Sequence, residues 1–435
     1  MKPTETREPS DSPRLEKGTR KSGRTRIAMY GNMCNNLYQV AKVLRSDDRL
    51  EPHLFLDSKH RIQMLPESDD PELSGNYPDW IHVGEYISPF YTAFPFLSPL
   101  VKELNQFEYV ILCEHGPIFA LFLRGRKAFF VGGGDLTMFP FGVRRYINRK
   151  LPVVEKIGAV IRGFWQKSGI RSMNSIWSQP FEPFCLPQRK LGVQNLVSPS
   201  YFPIPMDLEL FKPEAYIDAK HPLFEELRKI RERFDFTVFH PSRFVVDDSR
   251  LMRETGQWKN NLLLLEGFRQ FVQRTDLRAG LVLIEKAGHD RDRATVLAKI
   301  TELHLEENIY WLKPKDGQFP RNQLAALYST CDCVADDFGV GWFGSIVLEG
   351  LACGRPVLNR IDEIAMRKLY PRHPIINVES VSEIANVLSM LSSDINYYNQ
   401  KCSESRQWIQ DYHSRQHCAD SYVANVLDFI HAGTT

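Results

Sequence analysis

No stretch of the 435 residues reaches the roughly 18–20 consecutive apolar positions that a membrane-spanning helix needs. The longest uncharged run of interest, residues 86–101, contains Pro89, Pro95 and Pro99, which argue against a long helix there. Basic residues near the N-terminus have no apolar stretch behind them, so a secretory signal is not expected. Neither sign of charge is in excess: 55 Lys and Arg stand against 53 Asp and Glu, a net charge of +2. That balance gives no global case for nucleic acid, and no nucleic-acid partner is expected. There are only 8 cysteines, and Cys34, Cys113, Cys331, Cys333 and Cys353 lie in or beside apolar segments. No His or Cys pair stands at zinc-ligand spacing near Cys331 and Cys333. The simplest reading is a reducing, cytoplasmic location with mostly buried free thiols.

The composition is that of a globular protein, with 43% hydrophobic and 25% charged residues, and the length implies two or three domains. Residues 1–25 are polar and charged with almost no apolar content, and a disordered basic tail is expected. Order is expected from the β-type run at 25–30, followed by a helix with Leu37, Val40, Ala41 and Leu44 on one face. Strands follow at 53–57, 109–113 and 127–131, with a helix expected over 119–125. A second series begins after residue 213. Strands at 236–240, 280–285, 308–312, 332–336 and 355–359 alternate with helical patterns. Alternation of this kind means parallel sheets and two Rossmann-like halves, with ligands expected beyond the C-terminal ends of the strands.

The segment 336–358 holds the densest chemistry. It reads as a strand end, a glycine-rich turn and a helix starting near Gly344 or Ser345, so that free N–H groups of Gly344, Ser345 and Ile346 could cradle a phosphate. Glu349 lies one turn further in. The same pattern also describes a plain βαβ crossover with an ordinary glutamate.

This segment resembles the donor-binding signature of retaining glycosyltransferases of family 4, which have the GT-B architecture. The match is carried by Glu349-Gly350-Leu351-Ala352-Cys353-Gly354-Arg355-Pro356-Val357. The preceding Gly341-Trp342-Phe343-Gly344 departs from the family, placing glycine where its first glutamate stands. The resemblance implies that Glu349 holds the nucleotide ribose, and Asp336 or Asp337 is the nearest substitute for the missing carboxylate. Arg243 and Lys259 resemble the cation pair that neutralises the donor diphosphate, although their spacing is longer and Asn260 replaces a glycine. Residues 203–213 resemble the family's interdomain segment, and Arg406, Trp408, Tyr412, His413 and Ser414 its closing helix. The similarity runs from about 203 to 430 and is looser over 26–200.

In the first half, Gly31 follows the first strand, where it could lie under donor phosphates or form a tight turn. His115 stands where family members contact the donor sugar, and Asp135, after three glycines, where acceptor or sugar hydroxyls are oriented. Residues 144–171 interleave eight Lys or Arg and one acid, Glu155, with apolar side chains. That pattern suits an anionic membrane surface or an ordinary solvated helix face.

The expectations are therefore an α/β GT-B fold, two Rossmann-like domains facing across a cleft. A tail covers 1–25, an acceptor domain 26–213, a donor domain 214–405, and a helix over 406–435 returns to the first domain. Resemblance implies a retaining hexosyltransferase using a nucleotide-diphosphate sugar and a glycan or lipid-linked acceptor, with no cofactor and no obligatory metal. The expected location is cytoplasmic, peripheral at the inner membrane face. The alternatives are an epimerase or phosphorylase on the same fold, or a degenerate sugar-nucleotide-binding scaffold.

Overall fold

The computed structural model describes residues 23–59, 64–142, 153–198, 202–215, 217–285, 290–314 and 319–432. Most of the expected tail and the cations at 144–150 lie outside them. Among the described residues no helix is long and apolar enough to cross a membrane.

Six parallel strands form the first sheet: β1 Thr25–Tyr30, β2 Leu50–Asp57, β3 Ile81–Gly84, β4 Tyr109–Leu112, β5 Arg126–Phe130 and β6 Ser175–Trp177. Their spatial order is β3-β2-β1-β4-β5-β6. The second sheet repeats that winding with β7 Phe236–His240, β8 Ala279–Ile284, β9 Ile309–Leu312, β10 Cys333–Ala335, β11 Val357–Asn359 and β12 Ile376–Asn377, in the order β12-β11-β10-β7-β8-β9. The runs are apolar because helices cover both faces: every residue of β7 and β8 is buried. In each sheet the winding reverses between its first and fourth strands, at β1/β4 and β7/β10. Doubly wound sheets bind ligands at such switch points.

The helix expected over 119–125 is instead a 3₁₀ helix at Gly116–Phe122. Pro117 fixes its first turn, and β5 begins at Arg126, leaving little chain for an α-helix. The prolines of the 86–101 run each open a short helix, Pro89–Ala93, Pro95–Leu97 and Pro99–Leu104. Three strands absent from the sequence reading, β3, β6 and β12, have only four, three and two residues.

The chain passes between the domains twice. Met206 on the outward passage pairs with Ser414 on the return. His413 is buried and joins both passages: its backbone C=O accepts from Met206 N at 2.8 Å, and its ring bonds Ile204 O at 2.9 Å and the Tyr370 hydroxyl at 3.0 Å. Two helices close the chain rather than one from 406. Ile395–His413 packs on the Ser345–Ala352 helix, and Arg415–His431 packs on Asn36–Leu44. The break falls at Ser414, whose hydroxyl accepts from His417 N and restarts the helix. Cys418, Tyr422, Val426, Phe429 and Ile430 thereby enter the core of the first domain. Each such side chain contributes about 1.5–3 kcal/mol of burial.

Candidate functional site

The first switch point is built on a close approach of backbones. Gly31 has φ +91°, and a Cβ there would stand 2.8 Å from Cys113 O, so the end of β1 tolerates only glycine. The next residue, Asn32, is buried and organises the turn. Its side chain donates to Asn35 Oδ1 and Met64 O and accepts from Tyr38 N, while its own N–H donates to Glu114 Oε1 at 3.2 Å. Glu114 itself has φ +54°, and burial pushes its carboxyl up to about 7.

His115 stacks on Phe139 with ring centroids 4.6 Å apart. Asp135 is fully buried beneath the loop rather than open to an acceptor. Its oxygens accept from the N–H groups of Gly132, Gly133, Leu136 and Glu114 at 2.7–3.1 Å. Burial nevertheless raises its carboxyl to about 6. Asp135 therefore shapes the glycine loop between β5 and the Gly134–Thr137 helix.

At the second switch point Lys259 is buried against two carboxylates, Asp336 at 3.3 Å and Asp337 at 3.1 Å. Burial alone would depress its ammonium, but the two carboxylates outweigh it and hold the pKa above the ordinary lysine value. Asp337 also accepts from Gly339 N and Val340 N, fixing the loop after β10. Asp336, the expected substitute for the missing glutamate, is thus engaged by lysine. Arg243 is placed apart from this cluster. It donates to Gln257 at 3.2 Å and lies beside Phe244, Glu285 and Trp311. Among the described residues the two cations share no ion-pair partner.

The loop continues into the Ser345–Ala352 helix, which starts at exposed Gly344 with no side-chain cap. A Cβ on Gly344 would meet nothing within 4 Å, and Ser345 and Ile346 are half-buried. The first N–H groups of this helix have no intrahelical acceptor. Glu349 is buried one turn on. It accepts from the Tyr328 hydroxyl at 2.9 Å and pairs with Arg321 at 3.2 Å. Arg321 reaches across the cleft to Asp69 at 3.0 Å and Cys34 O at 3.3 Å, and Asp69 also accepts from Gln39 at 2.6 Å. This buried chain of charge joins the two domains.

No protein-family model and no curated protein matches the chain. Solved structures do match. Anabaena HepE in complex with UDP-glucose aligns over 93% of this chain and 100% of its own, with a TM-score of 0.59 at 16% identity. A glycosyltransferase from Rickettsia africae ESF-5 gives a TM-score of 0.61 at 13% identity, covering 94% and 99%. A Listeria monocytogenes protein provisionally described as a UDP-N-acetylglucosamine 2-epimerase gives 0.53 at 11%, covering 95% and 98%. The fold is GT-B.

Gly341 stands where the resemblance would place a glutamate, and its backbone is in the left-handed region. Gly341 has φ +82°, which a glutamate would adopt only under strain, and a Cβ there would lie 3.3 Å from the Arg360 guanidinium. Beyond the same loop a cavity of about 400 Å³ opens, lined among others by Arg253, Trp258, Asn260, Gly339, Arg360 and Glu379. Among the described residues no group of three His, Cys, Asp or Glu could hold a metal.

The sequence reading missed Arg321, Asp69, Tyr328, Glu114 and Arg360. One signal for Arg321 was there to read. A cation in the first turn of a helix opposes the helix dipole, and Arg321 opens the Arg321–Thr330 helix.

Proposed function

We propose that the chain is a glycosyltransferase that moves a hexosyl group from a nucleotide-diphosphate sugar to an acceptor hydroxyl with retention. The observation that carries this is the second switch point: a buried lysine beside a loop that leads into an uncapped helix N-terminus. A departing nucleoside diphosphate gains negative charge, and a fixed cation with aligned N–H groups stabilises it without reorganising. Lys259 and the amides at Gly344, Ser345 and Ile346 take that role, with Arg243 as a second cation.

Glu349 faces the ribose. Arg321 and Tyr328 hold the carboxylate in position for a ribose hydroxyl to donate to it. His115 approaches the transferred sugar from the first domain. Gly31 lets the end of β1 close on Cys113, and Asp135 holds the Gly132–Gly134 loop in place. As the bond from the anomeric carbon to the phosphate oxygen breaks, the acceptor hydroxyl attacks from the leaving-group side and passes its proton to the departing phosphate oxygen. The acceptor, a glycan or lipid-linked sugar, belongs to the first domain. Lys259 pairs with both Asp336 and Asp337, and the reaction is proposed to need no obligatory metal.

Calorimetric titration with UDP-, GDP- and ADP-sugars tests this reading. Selective binding of one donor, weakened in Glu349→Ala, supports it. Folded protein that binds none of them overturns it. The shared fold with an epimerase makes acceptor dependence the second arm: donor converted to an isomer without any acceptor sinks the transferase.

A further inference from the structure

Three phenylalanines of the first domain, Phe90, Phe94 and Phe96, stand about half exposed on the segment of short proline-started helices. They are not scattered. Phe90 meets Phe94 at 5.5 Å, Phe94 meets Phe96 at 6.3 Å, and Phe96 meets Phe122 at 5.8 Å. Phe122 reaches Trp165 at 5.5 Å, and the Trp165 indole N–H donates to Ala93 O at 3.2 Å. The patch thereby continues onto the Val153–Arg171 helix, where Ile157, Val160 and Phe164 are 54%, 66% and 58% exposed. Their spacing puts all three on one stripe. Single exposed apolar residues are ordinary, but a contiguous patch of this kind marks a surface that something covers.

Charge identifies the occupant. From Ile157 to Arg171 the helix carries Lys167 and Arg171 in line with that stripe and no carboxylate, Arg162 lying on another face with Nη2 buried, while residues 86–101 carry no charge but Glu85 borders them. A second copy docked by a two-fold axis would set these cations against themselves. Lipid phosphates would complement them, and aromatic and aliphatic side chains between cations fit the boundary of headgroups and acyl chains. Pro89 and Pro95 hold the aromatic turns in fixed conformations, so little ordering is left to do on docking.

We propose that this face of the first domain docks on an anionic lipid surface, with Phe94 and Phe164 entering the headgroup layer. The inference does not depend on the reaction proposed above. It is tested by co-sedimenting the full chain with phosphatidylglycerol vesicles and with phosphatidylcholine vesicles at low salt. The wild type should pellet with the first and not the second, and release as salt is raised. Phe94→Ser and Phe164→Ser should each weaken binding by about tenfold or more, as loss of one buried aromatic does. Both sites are exposed, so unchanged thermal melts are expected and separate lost docking from lost folding. Wild type that stays in the supernatant with phosphatidylglycerol overturns the proposal, as does equal binding to both vesicle types. A dimer in light scattering that the same two substitutions dissociate would assign the face to self-association and overturn it as well.

Discussion

Arg321 and Asp69 stand 252 positions apart in sequence and meet at 3.0 Å across the cleft, both buried. The same guanidinium pairs with Glu349 at 3.2 Å, so one side chain touches the opposite domain and the candidate ribose ligand together. Breaking a buried pair by deleting one partner typically costs about 3–5 kcal/mol, because the other charge stays buried without compensation. Arg321→Met should therefore lower the urea midpoint strongly, and Asp69→Asn should do so too. The double variant should lose clearly less than the sum of the two. Strict additivity would mean that the pair is not coupled.

The two expected phosphate cations sit in different surroundings, and their substitution should separate them. Lys259→Ala removes the cation buried at the switch point and should lower turnover by on the order of 100-fold or more. Arg243→Ala, whose partner is Gln257, should cost less. Steady-state rates with a matched donor and acceptor decide this, and a larger loss at Arg243 would reverse the assignment.

Glu114 should give the fold a slope against pH. Burial raises its carboxyl from an ordinary 4.5 to about 7. A carboxyl shifted upward stabilises the fold fully below its unfolded value, and that contribution fades as pH rises through the folded value. Stability should fall across this window, and Glu114→Gln should flatten the fall. Burial pulls His413 down to about 4, which acts in the opposite sense as pH drops, so the comparison with the Gln variant is the informative one. Denaturation curves at the two ends of the window provide the measurement.

Glycine substitutions should divide by environment. Gly31→Ala drives a Cβ into Cys113 O at 2.8 Å from a positive φ and should cost about 1–3 kcal/mol. Gly158→Ala, inside the Val153–Arg171 helix with open space around it, should stabilise by up to about 1 kcal/mol. Thermal melts of the two variants should move in opposite directions.

Much of this architecture was legible in the chain. Long apolar runs such as 236–240 and 279–284 announce buried parallel strands, and the alternation with helices announces two sheets. The Glu349 segment carried the resemblance because its chemistry is local, a turn and a helix start within one stretch. What was not legible depends on distance along the chain. Nothing near Arg321 indicates that Asp69 will face it, nor that Glu349 will already hold a cation. Asp135 stands after three glycines where the resemblance implies a residue that orients acceptor or sugar hydroxyls, and nothing local marks it as buried. Burial, which no local pattern reveals, turned those glycine amides onto the carboxylate instead. The 3₁₀ helix at Gly116–Phe122 and the two-residue β12 are too short for periodicity to declare them.

The return of the Arg415–His431 helix to the first domain sets the order in which the protein can be completed. A ribosome delivers residues in sequence, so the domain that begins emerging first must wait for Phe429 and Ile430 before its core is closed. Until then the apolar surface of the Asn36–Leu44 helix stays uncovered while the whole second domain is made. The second domain can thus be finished before the first. A nonsense codon at position 415 would release a chain with a complete second domain and an open, aggregation-prone first domain.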